Sequence, residues 1–262
     1  MEHRWTWTEL PDAVRAAIES VTGPVLTAEP LTEGLTSPFT AVVRARGRRV
    51  FVKATPITDV RAVDHQRREA AAAASVGGQV APTMLAHLTP RGWDVLLFTH
   101  VDGRYADVSP GGPDLSPFAH ALTRAGHIQP PHGIALPPLA ERWAEYLTPD
   151  ERALLGGVHV LHTDLNPWNV LIEDDGEGGR ACFVDWGMSA VGPAWAELAF
   201  AYLLLLWSDH TFESARRWLW QFPAWREAPI AGVGAFVAGA VAEANARDLP
   251  AQAERWKSLL AR

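Results

Sequence analysis

Cysteine is almost missing from this 262-residue chain, where Cys182 stands alone. One thiol excludes an intramolecular disulfide framework and fits a reducing compartment, so a cytoplasmic location is expected. Long apolar runs are also missing. The longest, around Leu198–Trp207, is too short to span a bilayer and reads as a buried helix. The opening "MEHRWTWTEL" lacks the charged-then-apolar order of a secretory signal, so no membrane partner is expected. Positive charge is in deficit, with 23 Lys and Arg against 30 Asp and Glu and a net charge of −7. That balance argues against binding a phosphate backbone and removes nucleic acid from the expected partners. What remains is ordinary for a globular protein, 48% hydrophobic and long enough for one large domain or two lobes. A monomer is favoured.

Lysine is the scarcest charge. Only Lys53 and Lys257 occur, so arginine supplies 21 of the 23 basic residues. A chain that prefers Arg wherever either cation serves marks a retained Lys as a candidate for work that a planar guanidinium cannot do. Lys257, in "ERWKSLL", reads as a helix surface residue. Lys53 lies inside the apolar strand "RRVFVKAT", and its burial there asks for a reason.

The pattern along the chain predicts a helix over 8–21, ended by Gly23-Pro24, then extended segments near 25–33, 39–45, 49–54, 84–88 and 93–99. The turn "ARGRR" joins the second and third as a hairpin. Between the third and fourth lies "VRAVDHQRREAAAAASV", a strong helix former capped by Thr58 or Asp59 and closed by Gly77-Gly78. Past Gly103 the character changes to Pro/Gly-rich loops and helices over 114–125, 138–147 and 149–156. Short strands follow over 158–162, 169–173 and 181–185. From Pro193 onward the chain reads as helical, with breaks near Trp207–His210, Pro223–Pro229 and Leu249-Pro250. The expectation is an α+β fold of two lobes: an N-terminal lobe over 1–99, a hinge over 100–110 and a mainly helical C-terminal lobe over 111–262.

One polar cluster sits between apolar runs: "VLHTDLNPWNVLI", with His162, Asp164, Asn166 and Asn169. Sixteen residues past Asn169, Asp185 closes the strand "ACFVD" and opens "DWG". The spacing suits a strand–loop–strand hairpin that carries Asp164, Asn169 and Asp185 to one edge. Two carboxylates and an amide oxygen there form the hard-oxygen set that Mg²⁺ takes when phosphates and water complete its shell. A His-x-Asp-x4-Asn match arises by chance in only about a few per cent of chains this long, and its placement between strands sharpens it further.

"HTDLNPWNVLI" with "FVDWG" resembles the catalytic loop and metal motif of the aminoglycoside phosphotransferase family, within the protein-kinase-like superfold. The order of elements matches as well. The resemblance implies a phosphotransferase using ATP or GTP with Mg²⁺ and a small-molecule hydroxyl acceptor, such as an aminoglycoside, another antibiotic or a sugar-like alcohol. In that template Lys53 grips nucleotide phosphates and pairs with Glu69 on the long helix, Asp64 being the nearby alternative that should point elsewhere. Asp164 orients or deprotonates the acceptor hydroxyl, Asn169 and Asp185 hold Mg²⁺, and His162 braces the loop. Gly34 and Ser37, in "LTEGLTSPFTAVV", stand where a phosphate-covering loop belongs, although no G-x-G-x-x-G is present. The backbones of Thr99 and Val101 would seat the adenine, with Phe98 behind them.

Three positions depart from the family pattern. Thr163 stands where glycine is usual, Asn166 where small-molecule kinases often have His, and Glu197 where a structural Asp is common. Asn166 keeps a hydrogen-bonding group near the γ-phosphate without charge. For the acceptor, Trp207, Asp209 and Glu213 are the further candidates, beside Trp218, Trp220, Trp225 and Glu227 on the same helices, although core packing explains most of the tryptophans. Two other readings stay open: a weak or silent nucleotide-binding regulator, which Asn166 permits, and a metal-dependent hydrolase built on His159, His162 and Asp164.

Overall fold

The computed structural model describes residues 4–31, 37–174, 176 and 178–260. Gly34, in the expected phosphate-covering loop, lies outside them. Strands β1 (Val25–Pro30), β2 (Phe39–Ala45), β3 (Arg48–Pro56), β4 (Met84–Leu88) and β5 (Trp93–Thr99) form an antiparallel sheet in the order β1-β2-β3-β5-β4. Side chains alternate across a strand. Val50, Val52 and Ala54 therefore share one face with Val43, Val95 and Leu97, where helix α1 (Asp12–Thr22) covers them with Val14 and Ile18. Lys53 and Thr55 fall on the opposite face, and both are buried.

Helix α2 (Val60–Val76) covers that second face. Asp59 caps it, the carboxylate accepting from the N–H of Ala62 at 3.0 Å. Its buried stripe runs through Ala62, Gln66, Glu69, Ala72 and Val76, the three-and-four spacing of a packed helix face. Two members of this stripe are polar. Gln66 donates to Asp94 Oδ1 at 2.8 Å and accepts from the hydroxyls of Ser37 and Thr55, tying helix to sheet. Glu69 meets Lys53.

The helical part is built around α5 (Ala194–Trp207), which is buried from Trp195 to Leu206. Around it lie α3 (Leu115–Ala125), α4 (Pro149–Ala153), α6 (Phe212–Leu219), α7 (Pro223–Arg226), α8 (Ile230–Ala246) and α9 (Pro250–Ser258). Phe236 of α8 sits among aromatic rings, with centroids at 5.0 Å from Trp143, 5.2 Å from Phe200, 5.5 Å from Trp256 and 6.0 Å from Trp195. Trp143, Trp186, Trp195 and Trp256 are thus core, Trp218 and Trp225 pack against it half-buried, and Trp168, Trp207 and Trp220 are exposed. Among the described residues, no helix is long and apolar enough to cross a membrane.

Two details differ from expectation. The segment expected to be helical over 138–147 holds a 3₁₀ turn, Leu139–Trp143, and α4 stops at Ala153. The second difference concerns the catalytic loop. Strands β7 (His159–Leu161) and β8 (Val170–Glu173) do not pair as a hairpin; β7 pairs with β10 (Ala190–Gly192), and β8 lies between β6 (Gly103–Tyr105) and β9 (Arg180–Phe183). The loop 162–169 therefore bridges two small sheets.

Helix α8 approaches Trp143 so closely that a Cβ on Gly239 would lie 2.7–2.8 Å from three ring atoms, whereas one on Gly234 meets nothing within 4 Å. Gly239→Ala should lose about 1–3 kcal/mol through overpacking, and Gly234→Ala should gain about 0.5–1 kcal/mol from helix propensity. Denaturant midpoints measure both. A Gly239→Ala variant as stable as the parent would contradict this packing.

Candidate active site

The Lys53 ammonium donates to both oxygens of Glu69, at 2.7 and 2.9 Å, and to Asp185 Oδ1 at 2.7 Å. The Lys53 and Glu69 side chains are each only 6% exposed. A buried ion loses several kcal/mol of hydration, and excellent pairing is required to offset that. Burial works against the charge of Lys53, but Asp185 and Glu69 outweigh it and hold its pKa above the ordinary value. Burial likewise raises Asp185, yet the neighbouring ammonium overrides it and keeps that carboxyl below its ordinary range. Asp64 instead points outward and pairs with Arg68 at 2.6 Å, one turn plus one residue from Glu69, as helix geometry demands.

The loop after β7 is held from below by His162. Its ring is fully buried, and burial pushes its pKa down to about 4, so the imidazole is neutral. Nε2 donates to the carbonyl of Val184 at 2.8 Å, which leaves Nδ1 to accept from the N–H of Asp164 at 3.3 Å. Glu197 accepts from the N–H of His162. Thr163 has φ 62, a left-handed backbone that glycine adopts freely and a β-branched residue does not. It is held there by its hydroxyl, donating to Met188 O at 2.6 Å, and by Arg142, which donates to its carbonyl at 3.3 Å.

Asn169 donates to the Asp164 carbonyl at 2.9 Å and to its carboxylate at 3.2 Å. Its own side-chain oxygen is left for another partner. The N–H of Val184 donates to Asn169 O at 3.0 Å, which sets Asn169 beside the β9 end that carries Asp185. Burial, then the charge of Asp185, pushes Asp164 up to about 6. Asn166 closes the loop locally: its oxygen accepts from Trp168 N at 3.0 Å and its amide donates to Asp164 O at 3.2 Å. Among the described residues no cluster of three or more His, Cys, Asp or Glu side chains is arranged for a metal. Asp185 and Asn169 offer one carboxylate and one amide oxygen, a set suited to a hard cation that brings phosphate oxygens with it.

The remaining expected residues divide. Ser37 is buried and its hydroxyl is engaged by Gln66 at 3.3 Å. The Thr99 N–H already donates to Thr83 O at 2.9 Å, so it is not free for a ligand; Val101 follows in the connection to β6, with Phe98 buried behind it. Trp207 lines a cavity of about 170 Å³ that opens onto Asp164. Asp209 and Glu213 do not line it; Asp209 is exposed and Glu213 pairs with Arg217 at 2.5 Å on the outer face of α6. Arg142 and Glu243, which sequence reasoning missed, do line it and pair at 3.0 Å. They lie 101 residues apart on a 3₁₀ turn and a helix, and no local pattern joins them. A larger, open hollow of about 400 Å³ between α3 and α6 holds none of these groups, so the chemistry belongs to the smaller cavity.

An antiparallel sheet with one long helix, joined to a helical body through a site of this kind, defines a kinase-like phosphotransferase fold. The model of the phosphotransferase enzyme family matches residues 106–235, which include the whole loop from His162 to Asn169 and Asp185. The chain belongs to the phosphotransferase enzyme family and is a small-molecule phosphotransferase with a hydroxyl group as acceptor. Among solved structures it is similar to choline kinase LicA from Streptococcus pneumoniae, at TM-score 0.63 and 14% identity, over 95% of this chain and 98% of that one. A protein from Ralstonia eutropha assigned as an aminoglycoside phosphotransferase gives TM-score 0.55 and 14% identity over 95% and 97%. A microcompartment-associated aminopropanol kinase gives 0.52 and 12% over 95% and 96%. At such identities the likeness shows the fold alone. No curated protein matches the sequence.

Glu197 offers a test of how the loop is held. Burial raises its pKa from the ordinary 4.5 to about 7, against the hydrogen bonds that favour its charge. The protonated carboxyl is the form the fold prefers. Stability present below pH 4.5 is therefore lost as pH rises towards 7, by about 3 kcal/mol in total. Glu197→Gln removes the titration. Its melting temperature relative to the parent should climb by several degrees from acid to mildly alkaline pH; a pH-independent difference would count against this account.

Proposed function

We propose that the chain transfers the γ-phosphoryl group of ATP, or GTP, to a hydroxyl of a small acceptor with Mg²⁺ present. The observation that carries this reading is the position of Lys53, bonded to both Glu69 and Asp185, beside a loop that opens Asp164 onto a cavity. Lys53 meets nucleotide phosphates, and Glu69 fixes the direction of its ammonium. Asn169 and Asp185 hold the metal, which neutralises phosphate charge when bound. Asp164 receives a hydrogen bond from the acceptor hydroxyl. That oxygen bonds to the γ-phosphorus as the bond to the bridging oxygen breaks; the nucleoside diphosphate leaves and the hydroxyl proton passes to Asp164. The rest of the protein's task is positioning.

Residues 1–99 form the nucleotide-binding lobe in this reading, 100–110 the linker and 111–262 the catalytic and acceptor-binding lobe. One buried cluster, of α1, the turn before it and the sheet, supports the nucleotide-binding lobe, while the end of α2 packs with Ala72 and Val76 into the cluster centred on α5. The backbone of Val101 seats the nucleotide base. A cytoplasmic location is part of the same reading, supported by the single buried cysteine. Resemblance alone suggests an aminoglycoside, another antibiotic or a sugar-like alcohol as acceptor, and the cavity lining narrows that range.

Thermal stabilisation by nucleotide in the presence of Mg²⁺, compared with nucleotide plus chelator, tests the donor site. Asp164→Ala should keep that stabilisation while phosphoryl transfer falls by about 10²–10⁴-fold. Turnover retained in Asp164→Ala removes its role. Stabilisation unaffected by chelation removes the metal.

A further inference from the structure

Among the described residues, Glu243 is the one carboxylate besides Asp164 that lines the acceptor cavity, and protein donors already engage both of its oxygens. Its Oε2 accepts from Arg142 Nε at 3.0 Å and Trp143 Nε1 at 2.8 Å; its Oε1 accepts from Arg142 Nη2 at 3.3 Å and faces Arg247 at 3.6 Å. Two guanidinium groups thus already offset its charge, which weakens its pull on an acceptor ammonium. The aromatic walls do not substitute for it. Arg142 already lies 5.9 Å from the Trp143 ring and 5.8 Å from that of Phe200, so a second cation there meets like charge.

The free donors have the opposite character. Arg142 is fully engaged by Glu243 and Thr163, but Arg247 is 62% exposed and touches Glu243 only at 3.6 Å. A guanidinium presents five N–H donors in a fork that fits a carboxylate. Gln252 lines the cavity beside it, its amide without a hydrogen-bond partner among the described residues. Trp207, Leu203 and Trp256 supply apolar lining in the same cavity. At about 170 Å³ the space falls below the roughly 300–1,000 Å³ of sites that enclose drug-sized ligands. A space of this size suits a small acceptor better than a polycationic aminosugar.

We propose that the acceptor is a small hydroxy carboxylate with an apolar body, its hydroxyl at Asp164 and its carboxylate on Arg247 and Gln252. The inference rests on the phosphotransferase reading and sets its specificity. Nucleoside diphosphate release is measured across matched pairs, each hydroxy carboxylate against the amino alcohol of the same skeleton, from lactate-sized to phenyl-bearing. The hydroxy carboxylates should show kcat/KM at least about tenfold higher, worth about 1.4 kcal/mol. Arg247→Glu should lower their kcat/KM by at least about tenfold, chiefly through KM, and narrow or reverse the preference. Preference for the amino alcohols, turnover of neither set, or a preference unchanged in Arg247→Glu overturns the proposal. Failure of the phosphotransferase reading itself shows separately, as loss of nucleotide stabilisation with Mg²⁺ in the parent protein.

Discussion

The interaction on which the structure depends is the contact of one ammonium with two carboxylates from distant parts of the chain. Lys53 reaches Glu69 sixteen residues away and Asp185 at a separation of 132. It therefore joins the middle strand of the sheet, the helix that covers the sheet, and the turn after β9. Removing one partner from a buried pair leaves an uncompensated charge that costs about 3–5 kcal/mol. A hydrophobic replacement would hold these elements together as well, so stability alone does not require the charges. A phosphate-gripping cation whose direction is fixed in advance does require them.

The second constraint is backbone strain at the same place. Thr163 at φ 62 and Asp185 at φ 64 both adopt left-handed conformations that L side chains resist by about 1–2 kcal/mol each. The neutral ring of His162 lies between their loops, bonded to Val184 on one side and to the Asp164 N–H on the other. Glu197 and Arg142 complete the clamp, from the core helix and from the 3₁₀ turn. Because Arg142 also pairs with Glu243, the loop 162–169 and the cavity wall share one guanidinium. Loop geometry and cavity shape are thus coupled through one residue.

Much of this was legible in the sequence, for physical reasons. Scarcity of lysine made Lys53 conspicuous, and period-two alternation in "RRVFVKAT" put it on the face opposite Val52. The family resemblance pointed to Glu69, and helix spacing set Asp64 on another face. The polar loop between apolar runs, followed by Asp185, announced a gathered oxygen set. What the sequence hid depends on long-range pairing. Nothing local told that β7 would pair with β10 instead of β8, since short strands carry no register information. Arg142 and Glu243, 101 residues apart, carry no local signal, and only the fold brings them together. Asp209 and Glu213 misled in the opposite sense: they stood as acceptor candidates beside Trp207, but Asp209 lies exposed in the turn after α5 and Glu213 pairs with Arg217 on α6. The Thr163 backbone explains why glycine is usual at that position, and its hydroxyl and Arg142 show how threonine is accommodated.

The central claim is that Glu69 acts on nucleotide through Lys53 and not independently. Equilibrium binding of Mg²⁺-nucleotide to Glu69→Gln, Lys53→Met and the double variant measures this directly. If the two residues work as one unit, each single variant weakens binding, and the double variant is little worse than Lys53→Met alone. Losses that simply add, or a Glu69→Gln variant that binds as tightly as the parent, would contradict the account.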